Sequence, residues 1–440
     1  MKNIISLFLA LMAFAAAVLQ AQPIKQVKQM AYADSTRLVE MFKDLHQNPE
    51  LGFMEVRTSG IIAKELKSLG YELITGIAKT GLVGILKNGD GPIVMYRADM
   101  DCNSVKETTG LPYASTKTMK KDDGTEVPVM HACGHDAHVT WMLGIAKMML
   151  TLKNDWKGTL VILAQPAEEP LTGAKAMVND KMYEKGVPVP DYLFGMHTWP
   201  IATGSIINGT GERAAGSDQL DVTFYGVGGH GSTPEVTKDP VVMASNAVIQ
   251  YQTIISRNIA AQDVAVLTVG AIHGGGDNNV IPASVVVKLN LRWFTEKTRN
   301  VLLDRIKRIN EGIAVANGLP KESYPSILMK GSVYPQVNEA FVTAKVNKAL
   351  TSVILPEKIF TNTLPIMGSE DFNHLVLGNG KTVCDYVMVG TAYPDAYTKA
   401  VSEGKRAPFY NHNGNYQVDL AAIPLGTAIG AAALLELFKK

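Results

Sequence analysis

Apolar positions recur along this chain with a helical period in some stretches and as short β-branched runs in others, and the two kinds alternate. Between Met30 and Gln47, the residues Leu38, Met41, Phe42 and Leu45 fall at helical spacing, and Asn48-Pro49 ends the run. A second amphipathic helix is expected over Arg57–Leu69, with Gly70 placed to close it. Two apolar runs follow, Gly81–Leu86 and Ile93–Ala98, joined by NGDG and expected to form a hairpin or neighbouring strands. Ala137–Leu152 reads as a helix, and Thr159–Ala164 and Tyr192–Met196 read as buried strands. This alternation predicts an α/β fold.

The pattern changes near Gly211. Strands are expected at Gln219–Tyr225, Val264–His273, Ser284–Phe294 and Tyr324–Met329, with helices at Asp239–Arg257 and Lys297–Asn317. The order βαββαβ is the ferredoxin-like arrangement, a compact unit by itself. It predicts a domain at 213–330 inserted into another built from 22–212 and 331–440. The first character then resumes with a helix Glu339–Leu350, a strand Tyr386–Val389 and a closing helix Leu420–Leu437. Ala392–Tyr410 reads as a loop long enough to suggest a functional role.

The start of the chain differs from the rest. Lys2 precedes the apolar run Ile4–Leu19, and small residues lead to Ala21. That order predicts a signal peptide over 1–21 and export to the periplasm or the medium, with no membrane span after cleavage. The formal net charge is +1, from 42 basic and 41 acidic residues, which gives no support to a nucleic-acid groove or polybasic membrane binding. The cysteines are Cys102, Cys133 and Cys384, an odd number and a poor disulfide framework. A metal-bound thiolate would explain a free thiol in an exported protein.

Candidate chemistry concentrates in MHACGHDAH, residues 130–138. Cys133 and His135 flank Gly134, which allows a turn that brings both onto one cation. Further ligand-type residues stand at predicted strand or loop ends: Asp99, Asp101, Glu168, Glu169, His197, Glu370, Asp371 and His412. The set is too large for one zinc-like ion and suits two that share a ligand. Singly, each has a plainer reading. Glu168-Glu169 could be a solvated turn, His197 a core histidine, His412 a loop residue and Ser369-Glu370-Asp371 a helix cap. His230 lies in the glycine-rich GVGGHGSTPE, and Asn279 and Arg292 lie on or beside paired strands.

In order, HQNPELGFME, RADMD, MHACGHDAH, QPAEE, GMHTWP, GGHGSTP, NVIP, GSEDF and NHN resemble the motifs of the aminoacylase/carboxypeptidase family of co-catalytic metallopeptidases. The nearest branch is that of the bacterial N-acyl-amino-acid amidohydrolases, hippurate hydrolases and auxin-conjugate hydrolases. The resemblance spans about residues 30–438. It implies a zinc-peptidase-like catalytic domain, with a mixed central sheet flanked by helices, and an inserted lid and dimerisation domain. It implies two divalent ions (Zn, Mn, Co or Ni) on Cys133, His135, Glu169, His197 and His412, with Cys133 bridging. Glu168 would be the general base and Asp99 would orient the metal site. His230 would reach the active site of the other subunit of a homodimer, and Asn279 and Arg292 would hold the substrate carboxylate. Two segments depart from the family pattern. Cys102-Asn103-Ser104 follows RADMD where the family has alanine, leucine and proline, and His412 precedes Asn413-Gly414 instead of serine and proline. The expected activity is hydrolysis of N-acyl amino acids by metal-activated water. A carboxypeptidase or dipeptidase acting on short peptides, and a binding protein of the same fold without catalysis, stand as alternatives.

Overall fold

A computed structural model describes residues 26–376 and 379–439, so the expected signal peptide lies outside the described residues. The chain divides into two units: Met1–Gly211, Val337–Leu364 and Phe372–Lys440 form the first, and Glu212–Gln336 with Pro365–Asp371 form the second. The expected insert at 213–330 lies within the second unit. GSEDF does not lie wholly with the first domain as expected, because the Ala215 N–H donates to the carbonyls of Ile366 and Gly368 at 3.0 and 2.9 Å. Those bonds tie the excursion Pro365–Asp371 to the second unit.

The first unit is built on a mixed eight-stranded sheet. Its order is Glu72–Ile77, Gly81–Asn88, Gly158–Gln165, Ile93–Asp99, Tyr192–Ala202, Val383–Ala392, Ile206–Ile207 and Ile359–Phe360. Four central strands (Gly158–Gln165, Ile93–Asp99, Tyr192–Ala202 and Val383–Ala392) run parallel. Their side chains are buried on both faces, which is why they read as continuous apolar runs. Parallel strands present their C-terminal ends at one edge, where open α/β sheets place their chemistry. Asp99, the turn after Gln165 and His197 therefore converge, although they are far apart in sequence.

Two expectations are corrected. Gly81–Asn88 and Ile93–Asp99 do not pair; Gly158–Gln165 lies between them, antiparallel to the first and parallel to the second. Close backbone approach at the NGDG turn makes room for that strand. A Cβ on Gly91 would lie 2.5 Å from the Lys157 carbonyl oxygen, and one on Gly158 would lie 2.3 Å from that of Pro92. Within Ala392–Tyr410 the chain is not all loop, since Pro394–Ser402 is a helix with proline in its first turn.

Helices His135–Thr151 and Ala422–Leu437 are buried almost all round, as expected of sequences with little amphipathic contrast. They pack on each other and on the sheet. Small residues permit this: a Cβ on Gly426 would lie 2.2 Å from Trp141 Cε2. The Trp141 indole N–H donates to the Ala422 carbonyl at 3.1 Å, so the large ring is also satisfied.

The second unit has the order Gly216–Tyr225, helix Pro240–Arg257, Ala265–His273, Ser284–Trp293, helix Glu296–Ala316 and Ser326–Val333. Its four strands are antiparallel, in the order Ala265–His273, Ser284–Trp293, Gly216–Tyr225, Ser326–Val333. Asp239 and Thr295 cap the two helices, accepting the Val241 and Thr298 N–H groups at 2.8 and 3.2 Å. Helix and sheet faces meet over a core that includes Phe224, Tyr251 and Trp293.

Two glycines give opposite expectations. Gly426→Val should destabilise by about 1–3 kcal/mol, because the added atoms overpack Trp141. Gly60, exposed in helix Val56–Ser68 with nothing within 4 Å of its added Cβ, should gain about 0.5–1 kcal/mol as alanine. Urea midpoints of the two variants check both signs. A Gly426→Val protein as stable as the parent would mean that the helix pair has room to shift.

Candidate active site

The MHACGHDAH segment is held by its glycine. Gly134 has φ +81°, and a Cβ there would lie 2.5 Å from Thr198 Oγ1 and 2.7 Å from the Tyr416 hydroxyl. Both the left-handed backbone and the lack of space require glycine. The turn sets Cys133 on one side and starts helix His135–Thr151 on the other. His138 follows one turn later, on the face that carries His135. Thr198 locks the turn from the neighbouring strand, its hydroxyl donating to the Cys133 carbonyl at 2.8 Å and accepting from Tyr416 at 2.7 Å.

The ring orientations are fixed by hydrogen bonds on the side away from the cluster. His197 Nδ1–H donates to the Thr198 carbonyl at 2.6 Å, leaving Nε2 with its lone pair 3.5 Å from Cys133 Sγ. The Thr198 N–H donates to His138 Nε2 at 2.9 Å, so His138 carries its proton on Nδ1 and donates to Asp99 at 2.5 Å. Asp99 also accepts from Arg97 at 2.7 Å and lies 3.7 Å from His135 Nε2. Burial alone would raise the Asp99 carboxyl, but Arg97, His135 and His138 hold it well below the usual carboxylate range. Asp99 is thus an ionised anchor for the histidines.

The last candidate arrives from the far end of the chain. His412 has φ +64°, a strained position for a non-glycine residue that costs about 1–3 kcal/mol. Its N–H donates to the Ala132 carbonyl at 2.7 Å, and Asn411 Nδ2 donates to Cys133 Sγ at 3.3 Å. A Cβ on Gly414 would lie 2.4 Å from the Lys106 carbonyl oxygen, so the glycine of NHNG lets this turn close on the rest. His412 Nε2 ends 3.3 Å from Glu169, with 55% of the side chain exposed.

Donor atoms of Cys133, His135 and His197 lie within 4.8 Å of one another, and so do those of Cys133, Glu169 and His412. His135, Glu168 and Glu169 form a further trio on the same criterion. Cys133 is common to the first two, and a sulfur, imidazoles and a carboxylate suit zinc-like ions. The protein leaves several atoms of this cluster without a hydrogen bond. Neither ring nitrogen of the fully buried His135 makes a protein hydrogen bond, nor does Glu169 Oε1. Burial pushes the Cys133 thiol up to about 12 and the Glu169 carboxyl up to about 7. A dication reverses both shifts and supplies the missing partner, so the residues fit a metal centre.

Residues 95–436 match the peptidase family M20/M25/M40. The chain belongs to this family. It is 38% identical to a hippurate hydrolase from Campylobacter jejuni over 331 residues, covering 74% of this chain and 82% of that protein. It is 31% identical to IAA-amino acid hydrolase ILR1-like 2 from Arabidopsis thaliana, covering 94% and 89%. The crystal structure of the Bacillus subtilis YXEP protein, a dinuclear metal binding peptidase from the M20 family, superposes with a TM-score of 0.72. That pair is 25% identical, with 92% of this chain and 98% of the other covered.

Within this M20 fold, the first unit gathers Asp99, Cys133, His135, Glu168, Glu169, His197 and His412. His230, Asn279 and Arg292 belong to the second unit. His230 and Asn279 sit together on a two-stranded ribbon, where His230 pairs with Val280 and the Gly231 N–H donates to the Asn279 carbonyl at 2.7 Å. The Ser232 N–H donates to His230 Nδ1 at 3.1 Å, which leaves the exposed Nε2 as the proton-bearing nitrogen. Arg292 stands on strand Ser284–Trp293 and donates to Asn290 at 2.8 Å and to Ser369 at 2.5 Å. Ser369 in turn donates to the Ala215 carbonyl at 2.7 Å, so it links Arg292 to the backbone at Ala215. All three cysteines are free thiols, and Asn103 exchanges backbone hydrogen bonds with Met130.

Several residues of the site drew no role from the sequence. His138 is one, although its spacing of three from His135 places it on the same helix face. Thr198 and Asn411 carry no sequence signal beyond standing beside His197 and His412. His46 is another: its Nδ1 donates to Asp136 at 2.6 Å and its Nε2 to Glu107 at 3.2 Å. Burial would lower its pKa, but hydrogen bonds and charge from these two carboxylates raise it to about 9. The folded value exceeds the unfolded one, so this bridge stabilises fully below about pH 6.5 and is lost as pH rises through about 9. In chelated protein, unfolding free energy should therefore fall between pH 6.5 and 9.5 by on the order of 3 kcal/mol more than in a His46→Gln variant. Equal pH slopes in the two proteins would contradict the bridge.

Proposed function

We propose that this protein is a metal-dependent amidohydrolase that cleaves the amide between an acyl group and the nitrogen of an amino acid with a free carboxylate. The observation that carries the reading is the buried donor cluster sharing Cys133, with a second, adjacent carboxylate, Glu168, beside it. Hippurate and IAA-amino acids, named in two relatives, are both acylated amino acids. Cys133, His135, Glu169, His197 and His412 would hold two divalent cations, which when bound lower the pKa of water and polarise a carbonyl.

The remaining work falls to the chain. Glu168, 5% exposed and 4.0 Å from His135 Nε2, takes the proton of the attacking water and returns it to the leaving amine. Asp99 keeps the histidines in register through His138. Asn290 and Ser369, which accept from Arg292, are both neutral, so its charge is left for the substrate carboxylate, assisted by Asn279. The exposed Nε2–H of His230 suits an oxyanion donor.

Export after cleavage at Ala21 and assembly as a homodimer are part of the same reading. Strand Ser326–Val333 is a sheet edge, and Ile327, Leu328 and Met329 on it are 39%, 58% and 40% exposed. A second copy pairing there would cover it, and His230 would act in the partner's site.

Two experiments test this. Glu168→Gln should keep both metals and lose turnover on N-acyl amino acids by about 10²–10⁴-fold, whereas Glu169→Gln should lose metal. The reverse pattern in elemental analysis and kinetics would exchange the roles. Mixing Glu168→Gln with His230→Ala protein, each inactive alone, should restore part of the activity after subunit exchange. Confirmed heterodimers that stay inactive would place His230 in its own chain's chemistry or outside it.

A further inference from the structure

The turn that carries the paired glutamates has three consecutive backbone N–H groups to satisfy, at Ala167, Glu168 and Glu169. All three end on two side-chain carboxylates from distant motifs. Glu55 Oε1 accepts the Ala167 N–H at 2.8 Å. Asp101 accepts the Glu168 N–H on Oδ1 at 3.1 Å and the Glu169 N–H on Oδ2 at 3.0 Å. Glu55 and Asp101 are both 0% exposed. The second oxygen of Glu55 accepts the Thr80 hydroxyl at 2.5 Å, and Asp101 Oδ1 lies 3.3 Å from His135 Nδ1. Within this grip Ala167 is held at φ +49°, outside the conformation its type prefers. A Cβ on Gly52 would lie 3.0 Å from Ala167, so the HQNPELGFME segment presses directly against the turn.

We propose that Glu55 and Asp101 are positioning residues that grip the Ala167–Glu169 backbone and so divide the labour between the two adjacent glutamates. The proposal rests on the reading of Glu168 as base and Glu169 as ligand. Two neighbouring side chains of one chemical type take different tasks only if the backbone between them is fixed. A shift of about 1 Å in such a group costs rate far more than it costs fold. Neither carboxylate touches substrate in this scheme. The HQNPELGFME and RADMD segments thereby gain a joint function: Asp99 anchors the histidines, while Glu55 and Asp101 anchor the acids.

The two grips differ in a way that can be tested. Glu55 serves one backbone donor and one hydroxyl, and a hydroxyl can reverse its bond. Glu55→Gln therefore keeps an acceptor for Ala167 and can turn its amide to Thr80. Burial and the Asp101 charge already push the Glu55 carboxyl up to about 7, so its role does not depend on full ionisation. Asp101 serves two backbone donors, and Asp101→Asn must set an amide N–H against one of them.

The test compares Glu55→Ala, Glu55→Gln and Asp101→Asn with the parent and with Glu168→Gln. Readouts are metal per chain, kcat and KM separately, and the urea midpoint of the chelated protein. We expect Glu55→Ala and Asp101→Asn to lose kcat by on the order of 10–100-fold, with KM nearly unmoved, and Asp101→Asn to retain less metal. Glu55→Gln should return to within about threefold of the parent kcat. Asp101→Glu, which displaces both oxygens by a methylene, should show the same loss and replaces Asp101→Asn if that variant does not fold. Parent-like kcat and metal content in Asp101→Asn or Asp101→Glu overturns the proposal. So does a Glu55→Gln protein as impaired as Glu55→Ala. Turnover retained in Glu168→Gln would instead overturn the base assignment, and metal content would still report the grip on Glu169.

Discussion

The site depends on one constraint: polar groups have been taken out of water with too few hydrogen bonds from the protein. His135 is wholly buried with neither ring nitrogen in a hydrogen bond, although Asp101 lies 3.3 Å from Nδ1; Glu169 has one buried oxygen without a hydrogen bond; and the buried Cys133 sulfur is met by Asn411 at 3.3 Å and His197 at 3.5 Å. Each such group costs about 1–3 kcal/mol if nothing compensates it. A fold retains that cost where something else supplies the bonds. Bound cations would do so for all three groups at once, and would favour the thiolate form of Cys133.

The fold's part is to make the cost local. Parallel central strands bring Asp99, the Glu168-Glu169 turn and His197 to one edge, and tight glycines at 134 and 414 allow the loops to close. Many groups around the unpaired atoms are engaged, although both ring nitrogens of the buried His131 in the same loop also lack a hydrogen bond. Thr198 alone serves Cys133, His138, His197 and Tyr416. Asp99, Asp101, Glu55 and Asp136 are buried carboxylates, and each has hydrogen-bond donors from another segment.

Much of this was legible in the sequence. The strands ending in ligand-type residues and the βαββαβ insert were readable because burial and period leave direct marks on residue type. The separation of Gly81–Asn88 from Ile93–Asp99 was not, because a short glycine-rich link between apolar runs looks the same whether or not a third strand enters later. The allegiance of Ser369 was not either, since its partners Ala215 and Arg292 are distant in sequence. His46 and Glu55 stood in a motif the sequence marked, but their roles exist only as contacts with Asp136 and Ala167. Hydrogen bonds between distant segments have no periodicity to read.

If the buried cluster holds two cations, Cys133, the donor common to two of the trios, would serve both. X-ray absorption on zinc-loaded protein, with the metal content counted, measures this most directly. Two zinc ions per chain are expected, with a sulfur scatterer at about 2.3 Å that disappears in Cys133→Ser. One ion per chain, or two with nitrogen and oxygen neighbours alone, would contradict it.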